Sequence, residues 1–490
     1  MSTEIAAQPG DAGAVRSLVP LRMDRLPWAK FHWMVVVGLG VSWILDGLEI
    51  QLVSAAGYKD TLGMTSGQVG LTATVYLIGQ VVGALTFGRM TDTIGRRKLF
   101  VLTLAIYLIG SGVAGLAFSV WFLWLFRFVA GMGIGGEYTA INSAIDELIP
   151  SHYRGRVDIA INGTYWGGAM IGALASYVLL NHSILPQNLG WRIAFFIGPV
   201  LGLVIIFIRR HIPESPRWMV THGQSEEAER IVTEIEEAVE ADGHELRPVD
   251  ESKAMWIKSR ERLPLSALAE VFFKKYPRRT FLGVTMMVTQ SFLYNAIFFT
   301  SALVLQNFYH LSASSAAIYF FPFALGNLLG PLTIGHLFDT IGRRKMIFST
   351  YLFSGAVLLL SAFLFRAGVL NAATHTILWC ISFFFASAGA SSAYLTVSEI
   401  FPLEVRGQAI SYFFSIAQVV GALGPAIFGA MVGDGTDRVP LFWGYVVGAS
   451  VMMFGGIVAW FFGVNAERQS LEDVADPLSR VDSGPEAVAA

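Results

Sequence analysis

Gly88-Arg89-Met90-Thr91-Asp92-Thr93-Ile94-Gly95-Arg96-Arg97-Lys98 sits between two long apolar segments. Gly335-His336-Leu337-Phe338-Asp339-Thr340-Ile341-Gly342-Arg343-Arg344-Lys345 repeats it between two others. A second pair follows each copy. Glu147-Leu148-Ile149-Pro150 with Arg154-Gly155 is echoed by Glu399-Ile400-Phe401-Pro402 with Arg406-Gly407. Matching charged hairpins at matching places describe a chain made of two related halves. In a membrane protein, internal duplication of this kind is the architecture expected of alternating access.

Composition puts the chain in the membrane. It is 54% hydrophobic and 14% charged, with a mean hydropathy of +0.56, whereas a soluble protein carries about 25% charged residues. The net charge of −2 gives no reason to expect nucleic-acid binding. Apolar runs near 31–55, 67–88, 99–118, 120–147, 157–181 and 191–209 precede a polar stretch. Six more follow, near 280–306, 313–335, 346–365, 374–399, 408–432 and 440–463. Each is long enough to cross a hydrocarbon core of about 30 Å, and must be helical because unpaired backbone groups in lipid cost several kcal/mol. The expected fold is therefore an all-α membrane protein with twelve transmembrane helices in two pseudo-symmetric six-helix bundles. The expected parts are a tail over 1–29, a bundle over 30–210, a linker over 211–279, a second bundle over 280–463 and a tail over 464–490.

Lys and Arg set the expected orientation. Nearly all of the 34 fall on one side; only Lys59, Arg366 and Arg438 fall in loops of the other, and Arg127 and Arg192 lie within or at the edge of helices. The positive-inside rule then places both termini, the hairpins and the linker in the cytoplasm of a multi-pass inner (plasma) membrane protein. Both tails read as polar and loosely ordered, and the first residues lack the apolar core of a signal peptide. Ser225 to Ala241, where Glu alternates with Ile, Val and Ala, predicts an amphipathic linker helix. Cys380 is the one cysteine and reads as an inert packing thiol.

At these residues the chain resembles the major facilitator superfamily, and within it the sugar-porter and metabolite:proton symporter group. Gly-x-x-x-Asp-x-x-Gly-Arg-Arg is that superfamily's hairpin, present twice. Pro213-Glu214-Ser215-Pro216-Arg217-Trp218 looks like the sugar-porter motif after the sixth helix, and Glu467-Arg468-Gln469-Ser470-Leu471-Glu472-Asp473 resembles its counterpart after the twelfth. Gly135-Gly136-Glu137-Tyr138 is closer to metabolite:proton symporters, and Asp46-Gly47-Leu48-Glu49 is similar to the Asp-Gly-x-Asp of aromatic-acid symporters.

Charges at the helix ends predict a gate. Asp92, Arg96, Arg97, Glu147 and Arg154, with Asp339, Arg343, Arg344, Glu399 and Arg406 as counterparts, read as ion-paired latches that close the cytoplasmic side. Topology alone explains the arginines but not acids at matched positions in both halves. Such pairs favour Arg for its bidentate geometry and must be marginal for the gate to open.

Ionisable groups deep in helices cost roughly 2.5 to 3.5 kcal/mol each and are functional candidates. Asp46, Glu49, Arg127 and Glu137 stand out, all in the first half. Glu49 and Arg127 lie at matching depths, roughly 10 Å below the outer surface at 1.5 Å rise per residue. Burial favours the protonated carboxyl and a nearby arginine favours the charged one, so moving Arg127 relative to Glu49 switches proton holding. The resemblance puts the sugar porters' proton-carrying acid at Glu49 and its arginine at Arg127. Glu137 fits a second proton site or a packing group equally well.

For substrate, the resemblance assigns hydroxyl-holding amides to Gln290 and Asn295. The key helix-5 glutamine has become Asn162, a second has become Ala169, the helix-10 tryptophan has become Tyr394, and the proline before it is Ser391. The hexose pocket is thus partly dismantled and more aromatic. Trp166, Tyr294, Phe298, Phe299, Tyr394 and the polar Gln418 complete the candidate set. The expected activity is proton-driven import of an organic or aromatic acid, polyol or sugar-like molecule. A uniporter, a drug:proton antiporter and a non-transporting nutrient sensor remain alternatives. No enzyme, cofactor or metal is expected, because no metal-ligand cluster or nucleotide loop appears. The expected partners are a small-molecule substrate, protons and the lipid bilayer, with the chain a monomer.

Overall fold

The computed structural model describes residues 14–54, 58–64, 66–179, 184–209, 212–258, 264–311 and 313–480. Twelve helical spans follow the chain. The first half holds α1 (Lys30–Ser54), α2 (Ser66–Ile94), α3 (Arg96–Ala114), α4 (Val120–Leu148), α5 (Arg154–Leu179) and α6 (Gln187–Arg209). The second holds α7 (Pro277–Tyr309), α8 (Ala313–Ile318 and Phe320–Ile334), α9 (Arg343–Arg366), α10 (Ala372–Ile400), α11 (Arg406–Gly421 and Leu423–Val432) and α12 (Val439–Phe462). Among the described residues, nine spans are long and apolar enough to cross a membrane on composition alone. α4 and α5 are not among the nine; both carry buried charge, including Arg127, Glu137 and Glu147 on α4 and Asp158 on α5. α6 has a shorter apolar stretch, Asn188–Leu203.

Each half has its own apolar core, while residues such as Phe118, Trp121, Val200, Phe353 and Phe461 lie exposed on the outside as a lipid-facing surface requires. With no hydrophobic drive between helices in lipid, small residues let backbones approach. A Cβ on Gly47 of α1 would overlap the Tyr165 carbonyl of α5, and one on Gly168 of α5 would overlap the Ile44 carbonyl of α1. The halves meet along α2–α11 and α5–α8, where the Ser411 hydroxyl donates to the Ala84 carbonyl.

The charged hairpins share one face, here called the hairpin face. The amphipathic helix is present over Ser225–Ala241, and a short helix, Pro216–Thr221, precedes it. The described parts of the tails are not loose, contrary to expectation. Residues Ala14–Ser17 pair antiparallel with Met255–Lys258, and Val19 and Met23 are buried. Arg22 and Arg25 bind Glu236 at 2.6 Å each. Asp24 joins Arg217 at 3.0 Å, and Arg217 binds Glu472 of the C-terminal segment. These described segments near the two termini form a strap tying linker to both halves. Burial pushes the Asp24 and Glu472 carboxyls up, but Arg217, with Arg154 for Asp24, outweighs it and holds both below the usual range. Glu236 is held down in the same way by Arg22 and Arg25.

Candidate functional site

The hairpins are built alike. Gly95 and Gly342 take φ of 95° and 113° at the starts of α3 and α9, a left-handed turn that favours glycine. That turn presents the first amides of each helix to a glutamate from the end of the same half. Glu214 accepts from Arg96 N at 2.9 Å and Arg97 N at 3.1 Å; Glu467 accepts from Arg343 N at 3.4 Å. Carboxylates at helix N-termini satisfy orphan amides and the helix dipole. Burial raises the Glu214 carboxyl above its usual range despite those amides and Arg96.

Within each half an arginine clamps a glutamate. Arg96 reaches Glu147 at 2.7 Å, and Arg343 grips Glu399 through Nε at 2.9 Å and Nη2 at 3.0 Å. Two further pairs cross between halves: Arg406 to Glu147 at 3.3 Å and Arg154 to Glu399 at 3.7 Å. Asp339 binds Arg343 at 2.6 Å and also crosses, accepting from the Arg156 amide of α5 at 2.8 Å. These contacts close the hairpin face. Arg97 is exposed, and Arg344 lies over the Trp460 ring; the described cross-half ion pairs use Arg154 and Arg406 instead. The Asp92 side chain, like that of Phe299, lies outside the described residues.

Deeper in the first half, Glu49 and Arg127 meet at 2.8 Å, both buried. Ser111 donates to the same Glu49 oxygen at 2.9 Å, and the Arg127 guanidinium stacks over Tyr76 at 4.1 Å. Asp46, one turn away, is held separately: it accepts from Tyr76 at 3.1 Å and from Tyr138. Glu137 is buried beside Tyr138, within electrostatic reach of Asp46.

Between the halves lies a cavity of about 410 Å³. Asn162, Trp166, Gln290, Tyr294, Asn295, Phe298, Tyr394 and Gln418 all line it, as does Arg127. Its wall continues past Ile50 and Val69 to Tyr58 in the α1–α2 connection, so the cavity extends towards the face opposite the hairpins. Two aromatic groups frame it. Trp43 stacks on Tyr138 at 4.5 Å and meets Tyr394 edge-on at 6.0 Å. Trp166 packs edge-on against Phe298 at 5.6 Å and beside Tyr294 at 5.9 Å. Amides bridge them: Gln418 donates to Gln80 across the halves at 3.1 Å and accepts from Ser291 at 3.2 Å, and Asn295 donates to Ser291 at 3.3 Å. Tyr294 donates to Asn327 at 2.8 Å.

Sequence reasoning missed Trp43, Tyr76, Gln80, Tyr138, Tyr165, Ser291 and Phe414 on this wall. Gln80 carried the same signal as Gln418, a polar amide in an apolar helix. The aromatics carried none, because rings at helical spacing look alike in a core, a cavity or lipid. Among the described residues no group of three or more His, Cys, Asp or Glu is placed to hold a metal.

Two six-helix bundles around a central cavity, with matched ion-pair clusters on one face, define a multi-pass membrane transporter of the major facilitator type. The family model "Sugar (and other) transporter" matches residues 48–477, and the chain belongs to that family, whose members are transporters rather than enzymes. It is 25% identical to the niacin transporter NiaP of Acinetobacter baylyi, covering 92% of this chain and 98% of that protein. A probable 4-methylmuconolactone transporter of Cupriavidus pinatubonensis is also 25% identical, with 83% of each chain covered. Among solved structures, the proton:xylose symporter XylE bound to 6-bromo-6-deoxy-D-glucose shares the fold with a TM-score of 0.75 at 17% identity, covering 91% of this chain and 98% of that one.

Proposed function

We propose that this chain imports a small planar organic acid together with protons, from the face opposite the hairpins, with hairpins, linker and termini in the cytoplasm. The observation that carries the reading is the buried Glu49–Arg127 pair placed with Arg127 on the wall of an aromatic cavity. A buried arginine needs an anion, and a buried carboxyl needs either a cation or a proton. When Glu49 takes a proton its hold on Arg127 weakens, and Arg127 can receive a substrate carboxylate. When the carboxylate leaves, Arg127 returns to Glu49 and expels the proton. One anion and one proton thus travel together, and neither half of the exchange leaves a bare charge in the low-dielectric interior.

The two aromatic groups suit a flat ring held between the halves, and Gln290, Asn162 and Asn295 supply donors and acceptors at its edge. Niacin, the substrate named for one relative, is an aromatic carboxylic acid, which favours this class over a polyol or sugar. The closed latches on the hairpin face, with the cavity extending the other way, correspond to the state that receives substrate from outside. Transport of labelled aromatic acids into proteoliposomes under an imposed pH gradient tests the reading. Accumulation that collapses when the gradient is removed, and in Glu49→Gln, supports it; accumulation unaffected by either would refute it.

A further inference from the structure

Asp146 on α4 and Asp158 on α5 have no part in the gate pairs or the cavity. Both are fully buried, and none of their four carboxylate oxygens accepts a hydrogen bond of normal geometry. Helix register brings them together. Asn162 of α5 donates to Asn142 of α4 at 3.2 Å across the antiparallel pair. One turn from that bridge towards the hairpin face, four residues on in α4 and four back in α5, stand Asp146 and Asp158 on the same facing surfaces. They interact electrostatically with each other.

The surrounding charges are already committed. Glu399, Arg154 and Arg406 face Asp146, with Ser398 beside it; Glu399 and Arg343 face Asp158, with Asn162 beside it. Arg343 is bound to Glu399 and Asp339, Arg406 to Glu147, and Arg154 to Asp24 and Glu399. The Arg154 Nε donates to the Asp146 backbone carbonyl at 3.1 Å, not to its carboxylate. In this buried layer Arg96, Arg154, Arg343 and Arg406 therefore face Glu147, Glu399, Asp339, Asp146 and Asp158, and negative charge is in excess.

Two carboxylates facing each other, with only Ser398 and Asn162 beside them and no arginine of their own, cannot both stay ionised in a dry layer. We propose that Asp146 and Asp158 together hold a proton while the hairpin face is closed, and give it up to water on that face when the gate opens. The aspartic O–H bond breaks, the proton passes to entering water, and the second carboxylate is solvated where it stands. A polar file leads there from the cavity: Tyr138, hydrogen-bonded to Asp46, offers its carbonyl to Asn142 at 2.8 Å, and Asn142 meets Asn162. That this proton is part of the transport stoichiometry rests on the proton-coupled reading above; that the pair holds one does not.

The test is infrared spectroscopy of the full chain reconstituted in lipid vesicles without substrate, read at the C=O band of protonated carboxyls and its shift in deuterated water. Wild type should show a band that Asp146→Asn and Asp158→Asn each remove and Glu49→Gln leaves. The band persisting in both aspartate variants would overturn the proposal. So would its loss on adding sodium at constant pH, which would assign the pair to a metal cation. In parallel, protons taken up per labelled substrate should fall in Asp158→Asn, whereas an unchanged ratio would contradict a role in coupling. If wild type moves no protons with substrate, the transport reading fails while the band still decides the site.

Discussion

Replacing Arg406 by alanine removes one of the two described ion pairs that cross between the halves, while Glu147 keeps Arg96 at 2.7 Å. At 3.3 Å and an effective dielectric near 20, the direct attraction is about 5 kcal/mol. Most of that is offset, because Glu147 stays neutralised by Arg96 and because burying the Arg406 guanidinium itself costs several kcal/mol. A net loss of about 1–2 kcal/mol in the closed state remains, equivalent to a shift of about 5–30-fold towards the open hairpin face. A gate worth much more than this would not cycle.

The shift is measurable as a distance. Lys98 and Lys345 are exposed at the starts of α3 and α9, and Cys380 is the one cysteine to remove. Spin labels at Lys98→Cys and Lys345→Cys in a Cys380→Ser background report the separation of the two halves by pulsed electron resonance. Arg406→Ala should move population to a longer distance by that factor, with Arg406→Lys in between. An unchanged distribution would refute the latch. So would an equal shift from Arg344→Ala, a residue of the same face that makes none of the described cross-half ion pairs, which would show that net charge on this face matters and pairing does not.

Other consequences follow from the same structure. Trp166→Ala should raise the KM for an aromatic acid about 10-fold while leaving the amount of protein in the membrane unchanged, because it removes one side of the ring clamp; uptake kinetics check it. Arg127→Lys should lose most accumulation, since a point charge reproduces neither the Glu49 pair nor the stack on Tyr76; counterflow and pH-driven uptake separate binding from coupling. Gly168→Ala should destabilise the first bundle by forcing α1 and α5 apart, seen as a lower melting temperature in detergent. The strap has a pH signature. Asp24, Glu236 and Glu472 are held below their usual range by arginines, so the stability they add is present above about pH 4 and is lost as pH falls through their lowered values. Limited proteolysis after Arg25 with an acid-tolerant protease should be slow at pH 6 and rise only below about pH 4; a rise near pH 6 would contradict the pairing.

The duplicated hairpins were legible because charge between apolar runs is rare and its recurrence rarer. Glu49 and Arg127 were legible for the same reason: a charge inside an apolar helix stands out, and helical rise alone put both at one depth. Asp146 and Asp158 were not. They sit in charged stretches beside Glu147 and Arg156, where an acid reads as part of a helix end, and only the Asn142–Asn162 register shows them buried face to face. The strap was hidden for another reason. Arg22, Asp24 and Arg25 are ordinary tail residues whose partners, such as Glu236, lie more than 200 positions away in the chain. The cavity aromatics needed the packing of both halves before any ring could be told from a core residue.

Joint entry of an organic acid and a proton through Glu49 and Arg127 is the proposal on which the rest depends. The most direct measurement is external pH in weakly buffered, de-energised cells expressing the chain as aromatic and aliphatic acids, polyols and sugars are added in turn. Alkalinisation is expected with a planar acid and not in Glu49→Gln, with about tenfold accumulation of that acid per proton for each unit of imposed pH gradient. Labelled uptake of the same acid with no pH change, or alkalinisation that survives in Glu49→Gln, would contradict it.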